Sequence, residues 1–364
     1  MTMRMRSAPM AILVCATMRA QLTQRVNPDL SVTYFVNAPD AKDVRLADDV
    51  FSLGPPGLPL VKGADGIWSV TTPPYEAGTH QYGFVVDGTP APDLWGSART
   101  DRMPRNFFPF ELIDVHGSEP LPDDLRRVPH GTVHVEVFSS ERFGREVRCW
   151  VYTPPGYDAS GRRYPALYLL HGNANEPSHW ITYGHADRIA DNLIAGGARE
   201  LVIVMPDTGD ANRGNQPLDL VEAYLLDEVI PFVEQRYQIE RSQSSRYLAG
   251  FSAGAVRTRH VGFLHPELFS ALGLMSGGGV DPTPPVETTY PKLADPSAFK
   301  ERVRLIYLSI GKDDASSATA VINMRILKDS LDRLGIPNVY NLSDGGHYFF
   351  NWRRYLAEFL TALP

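Results

Sequence analysis

Apolar and polar positions change rhythm once along this chain. From residue 27 to about residue 117 the apolar residues come in short runs with a β period: Ser31-Val32-Thr33-Tyr34-Phe35-Val36, Val44-Arg45-Leu46, Ile67-Trp68-Ser69-Val70 and His80-Gln81-Tyr82-Gly83-Phe84-Val85-Val86. Gly, Pro and Asp turns separate them. Pro55-Pro56-Gly57 and Pro73-Pro74 do not suit a helix interior, because proline lacks the N–H that a helical turn needs. Asp87-Gly88 closes the last run with a turn. This pattern predicts a small all-β sandwich over 27–117.

The polar, proline-bearing stretch Glu119-Pro120-Leu121-Pro122-Asp123-Asp124 reads as a linker, placed at 118–126. Beyond it the texture is different. Tyr164-Pro165-Ala166-Leu167-Tyr168-Leu169-Leu170, Leu201-Val202-Ile203-Val204-Met205 and Arg304-Leu305-Ile306-Tyr307-Leu308-Ser309-Ile310 are near-continuous apolar runs, as expected of strands covered on both faces. They alternate with helical patterns. Val221, Leu225, Val229, Phe232, Val233 and Tyr237 follow helical spacing, and so do Val321, Met324, Leu327, Leu331 and Leu334. Strand and helix in alternation over 127–364 predict an α/β domain with a mostly parallel sheet between helices.

Composition agrees with two domains. The 364 residues are 43% hydrophobic, enough for a sizeable core, and the formal charge of −7 offers no phosphate-binding surface, so nucleic acid is not expected as a partner. Cys15 and Cys149 cannot form a disulfide framework and show no zinc-site spacing, so no metal or cofactor is expected. Arg4 and Arg6 precede an apolar run over 8–18 and then Ala20, the outline of a signal peptide in a leader placed at 1–26. Export to the periplasm or the medium is one expectation; a cytoplasmic protein whose first residues are a disordered leader or follow a misassigned start is the other. No apolar stretch reaches the roughly 20 residues of a membrane helix.

Gly250-Phe251-Ser252-Ala253-Gly254 has the G-x-S-x-G form of a nucleophile elbow. Its context fits, because Ser245 to Ala249 read as a buried strand and the segment to Leu264, ended by Pro266, as a helix. A serine hydroxyl needs a base to take its proton. His347, in Gly345-Gly346-His347 between a strand over 338–342 and a helix over 353–363, is the candidate. His171 reads as part of a turn with Gly172, and His260 and His265 as structural histidines. The carboxylate that orients the imidazole is sought in Gly311-Lys312-Asp313-Asp314, where two adjacent aspartates leave the choice open. Backbone N–H groups of Ala253 and Asn173 would form an oxyanion hole.

These features resemble a family. Val128-Pro129-His130-Gly131-Thr132-Val133, Val151-Tyr152-Thr153-Pro154-Pro155-Gly156-Tyr157, Tyr168-Leu169-Leu170-His171-Gly172, Asp227-Glu228-Val229-Ile230-Pro231-Phe232-Val233-Glu234 and Gly345-Gly346-His347 are similar to the feruloyl and acetyl-xylan esterases, with enterochelin esterase and esterase D. The resemblance implies an α/β-hydrolase domain with Ser252 as nucleophile, Asp314 as acid and His347 as base, and with Asn173 and Ala253 as oxyanion donors. The stretch before it resembles an early-set, carbohydrate-binding-type, immunoglobulin-like sandwich through Ser31-Val32-Thr33, the segment from Ala38 to Val44, Gly66-Ile67-Trp68-Ser69-Val70 and Tyr82-Gly83-Phe84-Val85-Val86-Asp87-Gly88. Such a module implies glycan binding. Trp95 is the better stacking candidate and Trp68 fits the core; Trp180 is a candidate for the substrate pocket and equally fits the core. The elbow departs from the family pattern at Phe251, Ala253 and Ala255, and the segment between Pro206 and Leu220 is short. The function implied is a serine carboxylesterase acting on feruloyl or acetyl esters of plant cell-wall polysaccharide. The alternatives are a siderophore or other small-molecule esterase, an acyltransferase, and a polysaccharide-binding protein whose hydrolase domain has lost its chemistry.

Overall fold

The computed structural model describes residues 23–49, 57–91, 111–173, 175–209 and 216–364. Most of the leader, and Trp95 with it, lie outside the described residues.

The first domain is built from two antiparallel sheets. One pairs β1 (Gln24–Val26), β2 (Val32–Asn37), β5 (Val61–Lys62) and β6 (Ile67–Thr71); the other pairs β3 (Val44–Asp48), β4 (Leu58–Pro59), β7 (Gly78–Val86), β8 (Thr89–Ala91) and β9 (Glu111–Val115). Alternating side chains from the two sheets meet in one core of Val32, Tyr34, Val44, Leu46, Trp68, Tyr82 and Phe84. Trp68 belongs to this core, with its indole N–H donated to the Ala38 carbonyl at 2.8 Å. Strand β1 lies inside the stretch expected to be leader, because Gln24–Val26 pair with Val32–Tyr34 of β2.

The second domain carries an eight-stranded sheet. Its order is β10 (Thr132–Ser140), β11 (Arg145–Thr153), β13 (Val202–Pro206), β12 (Ala166–Leu170), β14 (Arg246–Phe251), β15 (Ala271–Met275), β16 (Leu305–Gly311) and β17 (Val339–Ser343). The first two pairs of that order, β10 with β11 and β11 with β13, are antiparallel, and every pair from β13 with β12 onward is parallel. Both faces are covered. Along β12, Ala166, Tyr168 and Leu170 enter one core while Leu167 and Leu169 enter the other, the period-two alternation of a strand buried on both sides. Helices α4 (Leu218–Tyr224), α5 (Ile230–Arg236), α6 (Ala253–Leu264) and α9 (Ala320–Arg333) pack on the first face; α2 (His179–Thr182), α3 (Ala186–Ala195) and α10 (Phe349–Ala362) pack on the second. Short helices α1 (Tyr157–Ser160), α7 (Val286–Thr289) and α8 (Pro296–Arg302) complete the chain. Helix α10 starts at Phe349 rather than Arg353, so its first turn directly follows His347.

The segment expected to be a linker is pinned. Asp123 is buried between His185 Nδ1 and Arg353 Nε, each at 3.0 Å, and Asn192 Nδ2 donates to the Pro122 and Asp124 carbonyls at 2.9 and 2.8 Å. Polar residues that looked solvated in the sequence are here satisfied by α3 and α10. The two domains meet directly as well: Phe350 stacks on His80 at 4.6 Å, Arg353 donates to the Thr79 carbonyl, and Arg354 pairs with Glu76 at 2.5 Å.

Candidate active site

Four strand ends supply the site. Ser252 follows β14, residues 171–173 follow β12, Asp314 follows β16 and His347 follows β17, all at the carboxyl edge of the parallel strands, where α/β sheets carry their ligands. Ser252 sits on a turn so sharp that its backbone adopts φ 55° and ψ −122°, the strained geometry that lifts a side chain out of the sheet. Glycine is required on both sides for close approach. A Cβ on Gly250 would stand 2.8 Å from the Leu170 carbonyl oxygen, and one on Gly254 would stand 2.5 Å from it and 2.7 Å from that of His171. The N-terminus of α6 is thereby pressed against the end of β12.

His347 Nε2 lies 2.9 Å from Ser252 Oγ, and His347 Nδ1 lies 2.9 Å from Asp314 Oδ2. The Asp314 side chain is wholly buried, whereas Asp313 is exposed, so the structure brings one of the two adjacent aspartates to the imidazole and turns the other to solvent. Burial pushes the Asp314 carboxyl up, but the bonds from His347 and from the Ser316 hydroxyl and N–H outweigh it and hold the group below its ordinary value. The loops that carry acid and base are laced together by Lys312 N–H to Ser343 O at 2.8 Å and Asp313 N–H to Gly345 O at 3.0 Å. Asn351, in the first turn of α10, donates to the Asp344 carbonyl at 2.7 Å and steadies the loop of His347 from below.

The N–H of Ala253 opens α6, where the first-turn donors have no intrahelical acceptor, and Asn173 follows a glycine that leaves no space beside Ser252: a Cβ on Gly172 would lie 3.1 Å from Ser252 Cβ. Both N–H groups therefore belong to segments that adjoin Ser252.

A family model described as "Putative esterase" matches residues 140–363. The chain belongs to the Esterase family. It is 29% identical over 355 residues to a protein of Xylanibacter ruminicola named endo-1,4-beta-xylanase/feruloyl esterase, covering 93% of this chain and 45% of that one. The chain spans about half the length of the curated relatives it matches. The enterobactin esterase of Shigella flexneri is similar in structure over 92% of this chain and 93% of its own, with TM-score 0.66 and 18% identity. A feruloyl esterase module of Clostridium thermocellum, complexed with sinapinate, is similar over 67% of this chain and 89% of its own, with TM-score 0.55 and 20% identity. These likenesses put the second domain in the α/β-hydrolase fold.

Trp180 is corrected by the structure. It is fully buried, with its indole N–H donated to the Leu170 carbonyl at 3.2 Å and its ring packed edge-on against Phe251 and Phe349, so it supports the candidate site from within the core and presents no face to a substrate. His260, late in α6, and His265, just after it, both lie 2.8 Å from Glu222 of α4. Three contributors had no clear sequence signal. Ser316 holds Asp314, Trp352 stacks on Phe251 at 3.9 Å and stands edge-on to His347 at 5.0 Å, and Arg257 is a buried cation on α6. Only Ser316 could have been found, from a serine two residues after a carboxylate, the spacing of a local side-chain turn.

Proposed function

We propose that the protein is a serine carboxylesterase. The observation that carries this reading is the chain of two 2.9 Å contacts, Oγ of Ser252 to Nε2 of His347 and Nδ1 of His347 to Oδ2 of Asp314, on a strained strand-to-helix turn. Ser252 Oγ attacks the ester carbonyl while His347 Nε2 takes its proton. The tetrahedral oxyanion is held by the N–H groups of Ala253 and Asn173. His347 returns the proton to the leaving alcohol, which departs and leaves an acyl group on Ser252. Water then attacks that acyl-enzyme with His347 as base, and the acid is released.

For the acyl group, a hydroxycinnamoyl ester on plant cell-wall polysaccharide is the reading favoured here. It is supported by the Xylanibacter ruminicola relative, whose name joins a xylanase to a feruloyl esterase and whose alignment runs through both domains. A polymeric substrate fits export, and the first domain would then bind glycan. A second reading, an aromatic siderophore ester, is supported by the Shigella flexneri enterobactin esterase, which also spans both domains. The test is a panel of acetyl, feruloyl and catecholate esters assayed on wild type and Ser252→Ala. Turnover fastest on feruloyl-arabinose and absent in Ser252→Ala is the expected result. Fastest turnover on the catecholate ester selects the siderophore reading, and no hydrolysis of any ester overturns both.

A further inference from the structure

Arg257 lies in α6, five residues after Ser252, and is 3% exposed. Its Nη1 donates to the His171 carbonyl at 3.3 Å and to Thr208 Oγ1 at 3.0 Å. The Thr208 N–H donates to His171 Nε2 at 3.1 Å, which makes Nε2 the acceptor and leaves the proton on Nδ1; that N–H is donated to the Gly172 carbonyl at 2.8 Å. Every polar group along residues 171–172 that these bonds reach is thus traced back to one guanidinium. The same stretch runs into Asn173 and abuts Ser252 through Gly172.

A buried cation is a costly choice for a position that only packing would fill, and the nearest carboxylate acting on it, Asp207, is itself held by Arg145 at 2.9 Å. The cost makes sense if the charge and its bonds serve the reaction. Oxyanion stabilisation depends on donors that are already in place when the negative charge develops, in surroundings of low polarisability. A guanidinium behind the His171 carbonyl supplies both, since it fixes the backbone leading to the Asn173 N–H and places positive charge on the side where the oxyanion forms.

We propose that Arg257 is a positioning residue for the oxyanion hole, holding the 171–173 backbone against the nucleophile helix and favouring the anionic intermediate over the neutral ester. The inference rests on the serine-esterase reading above. Because it concerns the intermediate alone, it affects kcat and leaves the binding of neutral ester nearly as it was.

The test uses p-nitrophenyl acetate for steady-state rates and phenylboronic acid, whose boron accepts the Ser252 oxygen to form a tetrahedral anion, as a mimic of the intermediate. Arg257→Lys and Arg257→Met, each checked by thermal melting, are expected to lower kcat by on the order of tenfold to a hundredfold, less than loss of a direct oxyanion donor costs. KM should stay within about threefold, the boronate Ki should rise by a factor like that in kcat, and Lys should retain part of the effect that Met loses. Thr208→Val, which removes one of the two acceptors and spares the charge, should show the same pattern more weakly, and it carries the test if the Arg257 variants do not fold. Unchanged kcat, or a fall in kcat with unchanged boronate Ki, overturns the proposal. A wild-type protein that fails to hydrolyse p-nitrophenyl acetate and the ester panel overturns the esterase reading instead, which separates the two failures.

Discussion

At the residue scale the site depends on which carboxylate meets the imidazole. Asp314 Oδ2 faces His347 while its Oδ1 accepts from the Ser316 hydroxyl and N–H, so both oxygens are committed to holding one tautomer of the base. Asp314→Asn is therefore expected to lower turnover by on the order of a thousandfold or more, and Asp313→Asn to change it little; steady-state rates on p-nitrophenyl acetate check both. Between pH 6.5 and about 4 two buried imidazoles shape the stability profile. Burial, with Arg257 second, pushes the His171 imidazole down to about 4, and burial, with His171 second, does the same to His179. Folded values lower than the ordinary 6.5 mean that the unfolded chain takes up protons first. Their contribution is thus complete above 6.5 and lost as pH falls toward about 4, so the melting temperature should drop across that window. A melting temperature flat between those values would contradict the buried neutral state of both imidazoles.

At the element scale the elbow works because β14 and α6 are pressed against the end of β12. Gly254→Val puts a branched side chain where even a Cβ would stand 2.5 Å from the Leu170 oxygen, and backbone cannot yield as a side-chain tip would. An overpacking cost of about 1–3 kcal/mol is expected, with loss of turnover as α6 is driven off the 171–173 backbone; denaturant melts and rates measure the two effects. The same elements show what the sequence disclosed. Strands β12, β13, β14 and β16 were legible because burial on both faces makes their apolar runs nearly continuous, and Gly250 to Gly254 were legible because close approach leaves no other residue type. The hairpin of β10 and β11 was missed, since β10 lies at a sheet edge, with Val135 and Val137 about half exposed, and has no such run. The period from Val221 to Tyr237 suggested one helix. The structure places a π-helical turn at Leu225–Val229 between α4 and α5, just ahead of Pro231, which cannot donate the next helical bond. Trp180 was misassigned because a large aromatic near a strand end reads alike in a pocket and in a core. The interdomain partners of Arg353 lie far away in sequence, and no local pattern announces them.

At the scale of the whole molecule the first domain is tied to the helix that begins just after the candidate base. Arg353 of α10 is 2% exposed and joins Thr79 of β7, the Tyr183 carbonyl and Asp123, while Phe350 in the first turn stacks on His80. Removing residues 1–117 would strip partners from that turn. The expected outcome is loss of turnover on soluble p-nitrophenyl acetate as well as on insoluble feruloylated xylan, with Arg353→Met costing about 3 kcal/mol of stability through a buried Asp123 left with the His185 bond but no cation. Full activity of the truncated protein on the soluble ester would show the first domain to be dispensable for the chemistry. The central claim is that one activated serine performs the reaction, and a fluorophosphonate tests it most directly, because its phosphorus is attacked only by a nucleophile with a base and an oxyanion site around it. Peptide mass spectrometry should find one phosphonyl group, on Ser252, with ester hydrolysis falling in proportion to labelling. Label on another residue, or hydrolysis persisting in fully labelled protein, would contradict the account.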